Sequence, residues 1–197
     1  MKIIDYFKKR RTQYALNNQL PISQEKVYEL IRDVVRETPS GFNSQSSRVV
    51  VLFDDEHHKL WEIVRETLRA IVPAENFAPT DEKITSFSKA AGSILFFEDQ
   101  DVIKGLQEKL PTYADKFPVF SANSAGMAQF AVWTALANEK IGASLQHYNP
   151  IIDDAVREEW DLPASWELSA QMPFGSIVEP AGEKTYIDDA VRFRLFK

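Results

Sequence analysis

The residues of this chain that could do chemistry gather in three places. Arg192 and Arg194 stand two apart in VRFRLFK at one end, and Lys8, Lys9, Arg10 and Arg11 form a basic run near the other. Between them lies PSGFNSQSS, residues 39–47, a string of small residues, hydroxyls and amides with no evident packing role. Two arginines at that spacing on a strand share one face roughly 7 Å apart, which suits a phosphate. The chain as a whole is acidic, with a net charge of −6 and a pI near 5.2. Nucleic acid demands a broader basic surface, so a single small phosphorylated ligand is the better match and no nucleic-acid partner is expected. The bland alternative is that these charges sit on a helix end and an edge strand for solubility.

Missing motifs narrow the field further. There is no cysteine, so thiolate nucleophiles, thiolate metal sites and disulfides are all excluded, and any redox chemistry needs a borrowed cofactor. The chain has no G-x-S-x-G elbow, no H-E-x-x-H and no acidic calcium loop. No strand is followed by G-x-G-x-x-G and there is no P-loop, which disfavours a dinucleotide fold of the common kind. Of the three histidines, His57 and His58 follow Asp54, Asp55 and Glu56 at a helix start, where carboxylates favour the dipole; this predicts a solvated first turn rather than a metal site. His147, in LQHYNP, is either a satisfied histidine at a strand end or a cofactor contact.

These groups must be positioned by alternating strands and helices. With 197 residues, 44% hydrophobic and 26% charged, the chain suits one globular domain, residues 1–197. Ser23 can cap a helix with an apolar stripe at Val27, Leu30, Ile31, Val34 and Val35, with Ile22 stapled to Val27 and Pro39 as the stop. Val49–Phe53 reads as a strand buried on both faces, 56–72 as a helix ended by Pro73, and 82–91 as a looser helical segment. Ser93–Phe97 is a second strand, 101–110 a short helix, and 121–141 a long helix that is apolar over much of its circumference. Asn123, Gln129 and Lys140 make that helix too polar for a membrane span. Then come a strand at 143–147, a helix at 153–160, a strand at 168–178 broken at Pro173, and a terminal strand at 191–196. The opening residues lack the long apolar core of a secretory signal, so a cytoplasmic location is expected, with no membrane association.

KRRTQYAL, then TPSGFNSQSSRVVVLF, then WTALANEKIGASLQHYNP and a closing VRFRLFK resemble the FMN-dependent nitroreductase superfamily. GSILFFED and ASLQHYNPIID are similar to the branch that holds the fungal fatty-acid-repression proteins and the copper-inducible bacterial nitroreductases. The resemblance implies an α+β three-layer fold, with a central, mostly antiparallel sheet flanked by helices and a C-terminal strand. It maps the family's phosphate-binding opening onto Arg10, with Arg11 beside it, Thr12 on the flavin tail or ring edge, and Tyr14 in place of the usual base. It maps the family's flavin loop, contributed by the neighbouring subunit, onto Pro39, Ser40, Asn43 and Gln45. The segment His147, Tyr148 and Asn149 would bring a backbone amide to flavin N5. Lys89 is the candidate for the basic group near N1 and the C2 carbonyl, and Arg192 with Arg194 would supply further phosphate contacts.

The function so implied is an FMN oxidoreductase in which NADH or NADPH and then a small aromatic acceptor occupy one pocket in a ping-pong cycle. Nitroaromatics are the implied acceptors, with quinones as a further class. The chain would act as a homodimer with residues 121–141 at its interface, and Phe42, Phe117 and Phe120 are either pocket walls or core. A flavin-binding regulatory or stress-response protein with little turnover is the alternative reading.

Overall fold

The burial of one strand decides the architecture. In the computed structural model, which describes residues 2–197, strand Gly92–Asp99 is buried at every position but its last. Its alternate side chains therefore need cover on both faces. Ile94 and Phe96 pack with Val27, Ile31, Val132 and Leu136 on one side, while Leu95 and Phe97 pack with Leu60, Trp61, Ile84, Phe87 and Val156 on the other. The result is three layers.

In chain order the elements are α1 (Ile3–Lys9), β1 (Leu16–Asn17), α2 (Gln24–Glu37), β2 (Ser47–Phe53), α3 (Asp54–Arg69), α4 (Ala78–Ser88), β3 (Gly92–Asp99), α5 (Gln100–Lys109), α6 (Phe117–Asn138), β4 (Ile141–Ala143), α7 (Asp153–Glu159), β5 (Trp166–Ile177) and α8 (Asp189–Arg192). The strands run β1-β5-β3-β2, with β4 also paired to β5, and every named strand pair is antiparallel. Helices α2 and α6 cover one face; α3, α4 and α7 cover the other. The α+β architecture expected from the sequence is the one observed. Ser23 caps α2 by accepting from the Lys26 amide, and Ile22 and Val27 join the same cluster, as the staple pattern requires.

Several local expectations need correction. Strand β2 lies at the sheet edge and is mostly half-buried rather than enclosed on both faces. Strand β5 runs unbroken through Pro173. The amides of odd-numbered residues there point toward β4, as the exchange between Gln146 and Gln171 shows, and β4 has ended at Ala143 before it could need a donor from residue 173. The terminal strand at 191–196 is absent. Asp188 instead accepts from the Ala190 amide and starts the short helix α8, and Val191, Phe193 and Leu195 are 60–78% exposed because residues 191–196 pair with no strand among the described residues. Helix α1 and strand β1 had no counterpart in the sequence reading. Close approach at β1 requires glycine on its partner, since a Cβ at Gly175 would lie 2.2 Å from the Asn17 carbonyl oxygen. Among the described residues no helix is long and apolar enough to cross a membrane.

Candidate functional site

Residues 10–18 run from the end of α1, past the close of β5, to the edge of a cavity, and they carry two of the basic candidates, Arg10 and Arg11. Arg10 closes α1, and its guanidinium stacks 4.3 Å from the Trp133 ring of α6. Its Nε is buried and has no hydrogen-bond partner. Burial, and after it the neighbouring Arg11 charge, push its pKa below the ordinary arginine value, yet a guanidinium stays cationic. A charged donor left unpaired out of water is costly unless an acceptor arrives. Arg11 is differently used: its Nη2 donates to the Gly182 carbonyl at 2.7 Å and ties the C-terminal segment to the fold. Thr12 bridges Ala143 of β4, and the Gln13 amide donates to the Ala143 carbonyl at 3.0 Å.

Tyr14 opens onto a cavity of about 790 Å³, shared with Asn17, His58, Arg65, Ser86 and Lys89. That volume lies in the range of small-molecule sites. Two of the cofactor candidates, Tyr14 and Lys89, thus meet in one place. Arg65 is committed to Asp81 at 2.7 Å and to Glu62, while Lys89 makes no ion pair among the described residues. The segment 147–149 is set by β5 beneath it. Fully buried Gln171 accepts from the Tyr148 amide at 2.7 Å and donates to Asn149 Oδ1 at 3.3 Å. Within the segment expected to bring a backbone amide to the flavin, the amide of Tyr148 is therefore already engaged. His147 is exposed and lies outside any strand, so it is not a histidine at a strand end.

The loop after α2 is held in an unusual shape. Phe42, Asn43 and Gln45 all have φ between 49° and 56°, the left-handed region that bulky residues avoid. Ser40 Oγ accepts from the Gln45 amide at 2.9 Å, and the Gly41 amide donates to Ser124 Oγ at 3.2 Å. Pro39, Asn43 and Gln45 are left exposed. Much of the remaining hydroxyl capacity faces inward, because Ser46 and Ser47 both donate to the carboxylate of Glu98. Phe42 is 54% exposed and packs against Tyr113, Phe117 and Phe120, of which Phe117 is buried core. The loop touches α6 at Ser124, nine residues before Trp133, or about 14 Å along the helix from the Arg10 stack. One chain therefore holds these two groups apart.

The terminal arginines do not form the one-faced strand pair that their spacing predicts. Arg194 donates to the carbonyls of Ala190 and Phe193, and Arg192 lies over the Phe193 ring, all within the exposed α8 segment.

Comparison with known proteins identifies the frame in which these groups sit. The profile of the Nitroreductase family matches residues 7–176. The chain belongs to this family. HBN1 of Saccharomyces cerevisiae is 38% identical over 184 residues, covering 92% of this chain and 91% of the yeast protein. The nitroreductase CinD from Lactococcus lactis, solved with nicotinic acid, is 49% identical with full coverage of both chains and a TM-score of 0.94. CinD has also been solved with 4-nitrophenol. A Desulfovibrio desulfuricans protein solved with FMN shares the fold at 18% identity and a TM-score of 0.71, with 100% of this chain and 99% of that chain covered.

In this member of the family, sequence reasoning misplaced His57 and missed Glu98 and Gln171. His57 is 1% exposed, not part of a solvated turn; His58 is the exposed member of the pair. Trp61 Nε1 donates to Ser93 Oγ at 3.1 Å, and His57 contacts the same hydroxyl through Nδ1 at 2.9 Å and the Ser88 carbonyl through Nε2 at 3.3 Å. A carbonyl can only accept, so the proton sits on Nε2 and Ser93 donates to Nδ1. Burial first, then the neighbouring His58, lower the His57 pKa from 6.5 to about 4. The unfolded chain therefore takes up this proton first as pH falls, and the stability contributed is full above about pH 6.5 and lost progressively down to about pH 4. Between pH 7 and pH 5 the loss should be about 2 kcal/mol. Urea unfolding of wild type and His57→Gln at both pH values checks this: the variant should lose less on acidification, and parallel losses would contradict the assignment. Among the described residues no cluster of His, Asp and Glu could hold a metal ion.

Proposed function

We propose that this chain is an FMN-dependent oxidoreductase that takes reducing equivalents from NADH or NADPH and delivers them to nitroaromatic acceptors, working as a homodimer. The observation that carries the reading is the buried Nε of Arg10, without a partner among the described residues, a cation waiting for an anionic acceptor; four residues further along the chain, Tyr14 opens onto a cavity of flavin-accommodating size. Arg10 would hold the phosphate, with Thr12 beside it on the flavin tail and Tyr14 and Lys89 bordering the ring. Bound FMN supplies the hydride and electron chemistry that the side chains themselves lack. Lys89, without an ion-pair partner among the described residues, would place positive charge at the ring's N1 and C2 carbonyl edge, where reduction adds negative charge. The 147–149 turn, braced by Gln171, would present main chain to the ring, and Arg192 and Arg194 would reach the phosphate only by leaving their contacts within the α8 segment.

What α6 leaves uncovered supports the dimer. Val119, Met127 and Phe130 are 41–55% exposed on that helix, and Ile3 and Phe7 of α1 extend the apolar surface around a groove of about 480 Å³. A second copy covers this face and lends its 39–45 loop, which explains why one chain keeps loop and Arg10 apart. Flat aromatic ligands in the 49% identical CinD support acceptors of that shape. The place of action is taken as the cytoplasm.

The loop assignment has a specific expected result. Asn43→Gly keeps the left-handed backbone and removes the exposed amide side chain, so FMN affinity should fall about 2- to 13-fold with the melting temperature unchanged. Fluorescence titration measures the first and a thermal melt the second. For the reaction itself, FMN-loaded protein kept free of oxygen should sustain turnover of NADH or NADPH beyond the single equivalent that reduces the flavin only with a nitroaromatic present, and initial rates should give parallel double-reciprocal lines. Intersecting lines would contradict a shared pocket.

A further inference from the structure

Glu98 ends the buried part of β3 and is itself 5% exposed. An interior carboxylate needs several donors to replace the water it has lost. Three serines from three places supply them: Ser46 and Ser121 donate to Oε2 at 2.6 Å each, and Ser47 donates to Oε1 at 2.5 Å. Ser46 closes the loop after α2, Ser47 opens β2, and Ser121 stands in α6. The next residue repeats the attachment, since Asp99 pairs with Arg48 at 3.0 Å, Arg48 donates to the Gln45 carbonyl at 2.6 Å, and the Asp99 amide donates to the Ser46 carbonyl at 2.9 Å.

Immediately before this anchor come the left-handed residues Phe42, Asn43 and Gln45. Such conformations persist only when their surroundings over-determine them. We propose that Glu98 is the positioning residue of the flavin loop: by gathering Ser46, Ser47 and Ser121 onto one buried carboxylate, it fixes residues 41–45 in the shape that meets the cofactor. The inference rests on the flavin reading above for the purpose of that shape. The anchoring itself stands on the geometry alone. PSGFNSQSS thus divides its polar groups, with the serines after Gln45 turned inward to hold the loop and Asn43 and Gln45 turned outward to bind.

The test uses Glu98→Gln, which keeps the volume and leaves one oxygen for two of the three hydroxyls. It is read by hydrogen exchange in the FMN-free dimer and by FMN titration. Exchange at Asn43, Ser44 and Gln45 should rise about tenfold while the amides of Ile94–Phe96 stay protected, and the FMN Kd should rise about tenfold. Ser47→Ala, which removes one donor and leaves Glu98, should move both readouts in the same direction by less. Glu167→Gln, at an exposed carboxylate that lines a cavity of about 340 Å³ together with Glu98 and Ser121, should move neither. Unchanged loop exchange in Glu98→Gln would overturn the proposal, as would a uniform loss of protection across the sheet, since that is what a general structural role gives. Raised loop exchange in a protein whose wild type binds no FMN would uphold the anchor and sink the flavin reading instead.

Discussion

Replacing Arg10 by alanine should weaken FMN binding about 10- to 150-fold, the worth of one hydrogen bond to a charged group. The expectation comes from the unpaired Nε, since a guanidinium that already had its donors satisfied would contribute little to a new ligand. Riboflavin lacks the phosphate, so its affinity should change far less. Arg10→Lys should recover only part of the loss, because an ammonium cannot reproduce the planar fork or its stack on Trp133. Equal losses for FMN and riboflavin would mean that Arg10 shapes the fold through Trp133, and the phosphate assignment would have to be abandoned. Arg194→Ala belongs in the same series, because in the single chain its guanidinium is turned onto its own segment. A selective FMN loss there would show that the terminal segment rearranges to reach the phosphate.

Phe130→Glu should raise the dimer dissociation constant at least about 100-fold, because an unpaired carboxylate would have to be buried in an apolar contact. Within one chain Phe130 is 41% exposed and meets Phe7 edge-on at 5.1 Å, so the change should cost the monomer little. FMN should be lost together with the dimer if, as proposed, the partner supplies the 39–45 loop. Sedimentation and flavin absorbance on the same sample decide it. A Phe130→Glu protein that remains dimeric and yellow would show that the exposed face of α6 is not the interface.

Much of the frame was legible because it depends on near neighbours. The Ser23 cap, the Ile22–Val27 staple and the stop at Pro39 are all written within about twenty residues, and α2 forms between them. What failed depends on partners distant in sequence. Val191, Phe193 and Leu195 alternate as a strand does, but alternation cannot supply an edge to pair with, and Asp188 then favours a helical start. Pro173 looks like an interruption until β4 is seen to end at Ala143, which removes the need for its donor. His57 was read from its acidic neighbours in sequence, whereas its helical neighbours Leu60, Trp61 and Val64 share its buried stripe; that signal was present in the spacing. Glu98 had no such signal. Its meaning comes from Ser46, Ser47 and Ser121, which converge only when the strand, the loop and α6 are in place. The candidate site was legible through family motifs more than through chemistry, and the structure adds which polar groups are already engaged and which remain open.

The central claim is that this nitroreductase-family chain turns over through a bound flavin, and an anaerobic single-turnover experiment tests it most directly. The purified protein, loaded with one FMN per chain, is mixed with NADH or NADPH without oxygen while flavin absorbance is followed, and a nitroaromatic is then added. The account predicts that the yellow colour bleaches in the first step and returns in the second. A protein that binds FMN and keeps its colour with both nucleotides would contradict the enzymatic reading and leave a flavin-binding regulatory protein in its place.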